Sequence, residues 1–463
     1  MPKTANNVPP RNHIARPGRL AFLGGLLLLA NLWFPSRAFA QHPKNCQTQA
    51  YDAQLRRQNR SYAEGRDLLN RLVLDGQASA GSRARTTTEE KIVIPVVVHV
   101  VHNNVSRTIG GPRNANLTNA QIRSQIEVLN QDYQGQANRP GYDPRSPYAA
   151  LSANVNIEFR LADRNPLGGT TSGITRNYSP RANFSTSEMD LLSEIAYWPS
   201  DRYLNIWVTD LSEDFIGYAQ FPDMTGLEGL APENGLATTD GVVIDYTAFG
   251  VISDPNNRSV YKLGRTTTHE VGHWLGLLHT WGDILCDGPG CFCGEDFISD
   301  TPPAGEPNQS TQCQELFSTC SGVRTRNMTE NYMDYSPDTC MSIFTPGQKD
   351  RIRKVLQLSP RRKALVEWAK RPAPESNTLA VKVFPNPADP DDRLVNVEVL
   401  LKGQQPVTIT VYSSTGKLVH QQAYPSTSST IATLYLHALK AGMYIVRINT
   451  PAETQIRRLV LLD

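Results

Sequence analysis

The sequence predicts an α+β domain followed by a small all-β domain, and three observations support this prediction. Residues 92–101 form an apolar run rich in β-branched side chains, which is typical of a buried strand. Apolar side chains at Ile122, Ile126 and Leu129 then recur at the spacing of an amphipathic helix. Beyond residue 379, short runs alternate apolar and polar side chains between turn residues. This last pattern predicts a small β-sandwich.

The elements between these segments continue the α+β pattern. Residues 118–121 resemble a helix capping box, so the amphipathic helix is expected to begin there. Residues 155–161, 204–208 and 242–246 have the composition of further strands. The predicted order is therefore strand, helix, three strands and then a second helix near residue 269.

Residues 1–40 have the pattern of an export signal. Basic residues precede an apolar run from Leu20 to Phe34, and Ala38-Phe39-Ala40 follows it. We therefore expect a signal peptide over residues 1–40 and a secreted mature protein without a transmembrane segment, because no apolar run is long enough to span a membrane. The formal net charge of +2 gives no reason to expect nucleic acid as a partner.

The most specific pattern is His269-Glu270-Val271-Gly272-His273, with Gly276 and His279 after it. On a helix, His269 and His273 share one face, from which both imidazoles can reach one metal ion. Gly276 can end the helix and return the chain, which brings His279 to the same ion. Three neutral imidazoles leave the fourth position of a tetrahedral zinc ion open, as in catalytic zinc sites. Glu270 is then the candidate general base.

This region resembles the pappalysin family of metzincin peptidases. Besides the histidine motif, the similar segments are Asn331-Tyr332-Met333-Asp334-Tyr335, Asp338-Thr339-Cys340-Met341, Phe344-Thr345-Pro346-Gly347-Gln348 and the segments 94–101, 121–132, 279–283 and 300–302. The resemblance spans most of residues 90–350. It implies a metzincin-type zinc peptidase domain with a twisted sheet, an active-site helix and a loop-rich, disulfide-stapled C-terminal subdomain. It also implies hydrolysis of peptide bonds in protein or peptide substrates.

The family roles transfer residue by residue to this sequence. The resemblance implies that His269, His273 and His279 bind zinc and that Glu270 acts as general base and then as general acid. Met333 would be the methionine of the Met-turn, which metzincins place beneath the metal. A methionine that only fills the core is the alternative for this position.

Two further roles are implied by the resemblance. Tyr335 would help to hold the tetrahedral intermediate, with a packed core tyrosine as the alternative. Asp296, Asp300 and Thr301 fall on a motif that binds calcium in family members, with solvated acidic loop residues as the alternative.

Seven cysteines in an exported chain suggest disulfide bonds. Six of them follow the histidine motif and are disulfide candidates: Cys286, Cys291, Cys293, Cys313, Cys320 and Cys340. Their spacing leaves many pairings open. The resemblance implies a Cys313–Cys340 bridge and a bridge from Cys320 to one of the cysteines at 286–293.

Cys46 is the remaining cysteine and precedes a polar, helix-prone segment from Ala50 to Leu74. Pappalysins can be made as zymogens in which a cysteine of the pro-segment occupies the open zinc position. The resemblance therefore makes Cys46 a possible zymogen latch, although Gln47 stands where the family usually has glycine. An unpaired thiol without this role is the alternative. We expect a pro-segment over residues 41–88 and a catalytic domain over residues 89–370.

Residues 371–378 form a Pro-rich linker, and the all-β domain over residues 379–463 follows. This domain resembles the C-terminal sorting domain of the type IX secretion system of Bacteroidetes. The similar segments are Val383-Phe384-Pro385-Asn386-Pro387, Thr415-Gly416-Lys417 and Leu439-Lys440-Ala441-Gly442-Met443-Tyr444. The resemblance implies that the type IX machinery is a partner and that the protein passes through the periplasm to the outer surface or the medium. A carbohydrate-binding or adhesive sandwich is the alternative.

Two other functions are compatible with this scaffold. A catalytically silent adhesin or binding protein is the first, although such a protein would be expected to lose the base or a ligand, and this chain keeps all four. A zinc amidase is the second, and the similarity through the Met-turn argues against it.

Overall fold

A computed structural model describes residues 45–80, 89–166, 171–212, 215–224, 236–253, 259–283, 293–370, 379–388, 393–451 and 453–462. Five predicted features fall outside these ranges: the signal peptide over 1–40, the end of the pro-segment, Cys286, Cys291 and the linker over 371–378.

The described part contains seven helices and fourteen strands. The helices are α1 (Thr48–Gln58), α2 (Arg60–Ala80), α3 (Asn119–Tyr133), α4 (Met189–Ile195), α5 (Arg265–Trp274), α6 (Pro346–Leu358) and α7 (Pro360–Ala369). The strands are β1 (Asn45–Cys46), β2 (Ile92–His102), β3 (Ile157–Leu161), β4 (Ile174–Tyr178), β5 (Leu204–Thr209), β6 (Phe215–Ala219), β7 (Gly241–Asp245), β8 (Phe317–Ser318), β9 (Thr325–Arg326), β10 (Ala380–Phe384), β11 (Leu394–Ser413), β12 (Leu418–Tyr435), β13 (Gly442–Asn449) and β14 (Thr454–Leu461). Short 3-10 helices span Ala149–Leu151, Thr186–Glu188 and Tyr246–Ala248.

The main sheet has the strand order β1-β6-β7-β5-β2-β3, and β4 also pairs with β2. Strand β6 runs antiparallel to β7, whereas β2 runs parallel to β3, β4 and β5. The central strand β2 is buried on both faces: Val96 and Val98 belong to the main core, and Val97 and Val101 belong to cores on the other face. This double burial explains why its sequence is a continuous apolar run rather than an alternating one.

Helix α3 begins where the sequence predicts it. Thr118 accepts a hydrogen bond from the backbone N–H of Gln121 at 3.1 Å. The capping box is not completed, because the Gln121 side chain donates to the carbonyl of Phe249 instead. The apolar face of α3, which includes Ile122 and Leu129, packs in the main core.

The main sheet differs from the sequence prediction in several details. Strand β3 begins at Ile157 rather than at residue 155, because Asn156 has a left-handed φ of 61° that breaks the extended chain. Strands β1, β4 and β6 were not predicted. Strand β6 has no alternating pattern, since all five of its residues are buried.

Among the described residues, two disulfide bonds link parts of the region after α5. Cys293 pairs with Cys320 across a Cα–Cα distance of 5.3 Å, and Cys313 pairs with Cys340 across 5.4 Å. These are the pairs that the resemblance implies. The small β8–β9 sheet lies within the segment that the Cys313–Cys340 bridge closes.

Residues 379–462 form the all-β domain that the sequence predicts. The sheet order is β10-β11-β13-β14, with β12 also paired to β11. The long strand β11 pairs with β10 through its first half and with β13 through its second half, and register shifts separate the two halves near Gln405. Side chains from both halves, such as Val397 and Ile409, share one apolar core. Within the described residues, no helix combines the length and apolar character needed to cross a membrane.

Candidate active site

Helix α5 carries the first two histidines of the motif. It begins after Gly264, which has a φ of 81°, and ends at Trp274. Gly276 has a φ of 93°, and a Cβ atom there would lie 2.8 Å from a methyl carbon of Val355. Glycine therefore provides both the left-handed turn and the space that bring His279 back toward the helix.

The three imidazoles converge through their Nε2 atoms. The Nε2 atom of His273 lies 3.1 Å from that of His269 and 3.1 Å from that of His279. The Nδ1 atom of His269 lies 2.7 Å from the Tyr332 carbonyl, and that of His273 lies 2.9 Å from the Leu277 carbonyl. Because a carbonyl only accepts hydrogen bonds, both Nδ1 atoms carry the proton, and the Nε2 lone pairs face one another.

This arrangement fits a metal ion. Burial lowers the pKa values of His269 and His279 to about 3 and that of His273 well below its ordinary value, so all three rings are neutral. Three lone pairs at this separation repel one another unless a cation lies between them. A buried set of three imidazole nitrogens suits zinc, and the Sγ atom of Cys46 lies with them in one group of donor atoms, all within 4.8 Å of one another.

His279 has two neighbours to which the sequence analysis gave no role. Its Nδ1 atom lies 2.6 Å from Oδ1 of Asp283, and its ring stacks on Trp281 at 4.5 Å with an interplanar angle of 9°. A carboxylate that holds the outer nitrogen of a metal-binding histidine fixes the orientation of the ring. The sequence could have indicated both residues, because they lie in the segment 279–283, which is one of those that resemble the family.

Glu270 lies beside the histidines and is fully buried. Its Oε2 atom accepts a hydrogen bond from the Thr48 hydroxyl at 2.7 Å and lies 3.4 Å from Sγ of Cys46. Its Oε1 atom has no hydrogen-bond partner among the described residues. Burial raises the pKa of Glu270 to about 8, against the opposing effect of these hydrogen bonds. Strand β6 runs against this side chain, since a Cβ atom at Gly217 would lie 3.0 Å from Cγ of Glu270.

Tyr335 contacts His279, Trp281 and the segment that carries Cys46. Its ring centroid is 5.0 Å from that of His279 and 4.8 Å from that of Trp281. The hydroxyl donates a hydrogen bond to the Cys46 carbonyl at 3.2 Å. Burial raises the pKa of Tyr335 well above its ordinary value, so the hydroxyl keeps its proton and remains a donor.

Met333 packs directly against α5. A Cβ atom at Gly272 would lie 2.5 Å from the sulfur of Met333, so the glycine inside the histidine motif makes room for this contact. The Met333 backbone N–H donates to Asn331 Oδ1 at 2.9 Å, which holds the turn. Sequence analysis assigned no role to Gly272, because spacing alone does not show what lies opposite a helical glycine.

We expect Gly272→Ala to destabilise the protein. Overpacking costs about 1–3 kcal/mol, which exceeds the roughly 1 kcal/mol that alanine gains over glycine inside a helix. Urea denaturation of the single variant and of Gly272→Ala/Met333→Ala measures the effect. The cost should disappear in the Met333→Ala background, where the sulfur is absent, and a more stable Gly272→Ala single variant would contradict the expectation.

The residues of the predicted calcium motif form hydrogen bonds within the protein. Thr301 donates to Oδ2 of Asp296 at 2.6 Å. Asp300 accepts hydrogen bonds from the Thr345 hydroxyl at 2.6 Å and from the Gly347 backbone N–H at 2.8 Å, which stabilises the start of α6. Calcium binding at these residues stays a prediction.

Two family models match the chain. The model described as pregnancy-associated plasma protein-A matches residues 188–357, which include the histidine motif and Met333. The model described as a secretion system C-terminal sorting domain matches residues 382–462.

Solved structures from Tannerella forsythia are similar to the chain. A promirolysin mutant is 37% identical and covers 71% of this chain and 99% of its own, with a TM-score of 0.54. Mature mirolysin in complex with a cleaved peptide is 40% identical and covers 61% of this chain and 100% of its own, with a TM-score of 0.50.

Fungal proteins are also similar to the chain. An extracellular metalloprotease of Colletotrichum graminicola is 37% identical over 272 residues, which are 58% of this chain and 80% of that protein. Another, from Verticillium alfalfae, is 28% identical over 287 residues, which are 61% of this chain and 84% of that protein. Together with the fold and the histidine cluster described above, these matches show that the chain is a secreted metallopeptidase of the pappalysin family with a secretion-system sorting domain.

Proposed function

We propose that this enzyme is a zinc-dependent endopeptidase that is made as a latent zymogen. The observation that carries the proposal is the buried group of three Nε2 atoms with the Glu270 carboxylate beside it. His269, His273 and His279 would hold the zinc ion, which when bound supplies a Lewis acid for the peptide carbonyl and lowers the pKa of a water molecule.

The protein side chains would move the protons. Glu270 takes a proton from the attacking water and returns it to the leaving amine, as a general base and then a general acid. Its Oε1 atom, which has no hydrogen-bond partner among the described residues, is available for this transfer. The Tyr335 hydroxyl, a donor in the same site, offsets the negative charge that develops on the carbonyl oxygen.

Strand β6 would bind the substrate. It pairs with β7 on one side and with the short strand β1 of the predicted pro-segment on the other. Without β1, the backbone of β6 next to Glu270 is an open sheet edge, and an extended peptide can pair with such an edge. The complex of mature mirolysin with a cleaved peptide supports a peptide as substrate.

The segment around Cys46 would keep the enzyme latent. Strand β1 runs parallel to β6, and the Gln47 backbone N–H donates to the Gly217 carbonyl at 3.0 Å. Thr48 accepts a hydrogen bond from the Ala219 backbone N–H at 2.7 Å while its hydroxyl donates to Glu270. A chain placed in this way blocks the sheet edge, the fourth metal position and the base at once. The greater share of this chain matched by promirolysin than by mature mirolysin supports a pro-segment here.

The domain boundaries belong to the same proposal. Residues 1–40 are the signal peptide, 41–88 the pro-segment, 89–370 the catalytic domain, 371–378 the linker and 379–463 the sorting domain, which the type IX machinery would recognise. Calcium at Asp296, Asp300 and Thr301 would be a structural ion. Mass spectrometry of the mature protein purified from its host tests the boundaries.

We expect removal of zinc to abolish casein hydrolysis by the enzyme freed of its pro-segment. The chelator 1,10-phenanthroline binds transition metals far more strongly than calcium, so inhibition by it assigns the effect to the histidine site. Hydrolysis should return when stoichiometric zinc is added and should not return with calcium. Full hydrolysis by protein whose zinc content is shown to be zero would contradict the proposal, and no hydrolysis by zinc-loaded protein would favour a binding protein.

A further inference from the structure

Asp132, near the end of α3, accepts three hydrogen bonds although it lies outside the histidine motif. Its carboxylate accepts from Arg265 at 3.1 Å, from the Thr268 hydroxyl at 2.7 Å and from the Tyr332 hydroxyl at 2.8 Å. Its side chain and that of Arg265 are 0% and 1% exposed, so this ion pair is fully withdrawn from water. A buried carboxylate at such a position is retained only when its hydrogen-bond partners are supplied by the fold.

The three partners of Asp132 belong to the two segments that hold His269. Arg265 and Thr268 are in α5, and Thr268 immediately precedes the histidine. Tyr332 belongs to the Met-turn, and its backbone carbonyl accepts the Nδ1–H of His269 at 2.7 Å. One carboxylate therefore connects the helix that carries the ring to the carbonyl that orients the ring.

A neighbouring contact strengthens this connection. The Tyr133 hydroxyl donates to the Thr268 carbonyl at 3.1 Å, so α3 contacts the backbone of α5 just before His269 through a second side chain. Tyr332 and Tyr133 both pack against Phe344 in the main core, which restricts how far either ring can move.

We propose that Asp132 is a positioning residue for the metal site, acting through Tyr332 and Thr268 on the orientation of His269. This inference rests on the proposed function, because it presumes that His269 binds zinc. Outer hydrogen-bond partners of metal ligands typically change metal affinity by about 10–100-fold when they are removed. A purely structural ion pair would instead change the stability of the fold and leave the affinity for zinc unchanged.

The test measures zinc affinity in Asp132→Asn and Tyr332→Phe, prepared without the pro-segment. Competition with a chromophoric chelator gives the dissociation constant, and the visible spectrum of the cobalt-substituted protein reports the ligand geometry. We expect a zinc affinity about 10-fold weaker for Asp132→Asn, at the low end of that range, because Asp132 acts on His269 through Tyr332 and Thr268 and does not contact the ring. A smaller loss is expected for Tyr332→Phe, which removes the hydroxyl and keeps the carbonyl that contacts His269. The double variant should lose little more than Asp132→Asn alone, because both changes break the same connection.

A buried polar residue on another element of the fold supplies the matched control. Asn205 on β5 is fully buried and hydrogen bonds to His99 and to the backbone of Trp198. Asn205→Ala should lower the melting temperature while zinc affinity and the cobalt spectrum stay those of the wild type. Tyr332→Phe keeps the inference testable if Asp132→Asn does not fold.

The outcomes separate the inference from the proposed function. Wild-type protein that binds no zinc at the histidines would overturn the proposed function. Wild-type protein that binds zinc, together with variants at Asp132 and Tyr332 that bind it equally well, would overturn the inference alone.

Discussion

Glu270→Ala, in the enzyme freed of its pro-segment, is expected to lose nearly all hydrolysis while zinc stays bound. General base catalysis contributes about 10²–10⁴-fold to rate. Glu270 is the buried carboxylate next to the donor group of the three imidazoles and the Cys46 thiol: its Oε2 atom lies 3.4 Å from that thiol, and its Oε1 atom has no hydrogen-bond partner among the described residues. The residue is not one of the three imidazole donors, so metal affinity should be retained. Cleavage of a mixed peptide library, read by mass spectrometry with zinc content measured in parallel, checks both statements.

Glu270→Gln is the matched control, because it keeps the size of the side chain and removes only its ability to take a proton. Both variants should be equally inactive, and both should keep the wild-type cobalt spectrum. Substantial peptide hydrolysis by either variant would contradict the assignment of Glu270 as the general base. The same experiment gives the preferred residues of the wild-type enzyme around the cleaved bond.

The histidine site was largely predictable because its information is local. His269 and His273 are four residues apart on one helix. The turn after the helix has a left-handed backbone at Gly276, and glycine takes this conformation without strain. The central strand β2 was equally predictable from the sequence, because a strand buried on both faces has a continuous apolar run. In each case a short stretch of sequence contains the whole physical cause of the structure.

The rest of the site depends on contacts between distant segments, and sequence patterns did not show it. Thr48 contacts Glu270 across 222 positions of the chain, and Asp132 contacts Tyr332 across 200. Gly272 looks like an unfavourable helical residue until the sulfur of Met333 is placed against it. The residues next to Thr48, Asp132 and Gly272 in the sequence do not indicate these contacts, so only the folded structure shows them.

Cys46→Ala is expected to convert the latent precursor into an active enzyme before any cleavage of the chain. The Sγ atom lies with the three Nε2 atoms in the group of donor atoms that could hold a metal ion, and the strand β1 that carries it pairs with β6 at only two residues. A soft sulfur ligand to zinc would add to the apolar packing of Tyr51, Leu55 and Tyr62 against Phe215 and Tyr218, and would be the contact that closes the open metal position. Losing only about 1.4 kcal/mol of that contact raises the open fraction about tenfold. Hydrolysis of a fluorogenic peptide, with chain length verified by mass spectrometry at each time point, measures the effect.

Thr48→Val tests the hydrogen bonds of the Thr48 hydroxyl separately from the contact of the Cys46 thiol with the metal site. This variant keeps the shape of the side chain and removes the hydroxyl that bonds both Glu270 and the Ala219 backbone. We expect a smaller gain of activity than for Cys46→Ala, because a typical hydrogen bond contributes about 0.5–1.5 kcal/mol and metal ligation contributes more. A Cys46→Ala precursor as latent as the wild type would refute the thiol latch. If Thr48→Val alone became active, the hydrogen bonds of the Thr48 hydroxyl with Glu270 and the Ala219 backbone, and not the metal contact, would be what holds the zymogen closed.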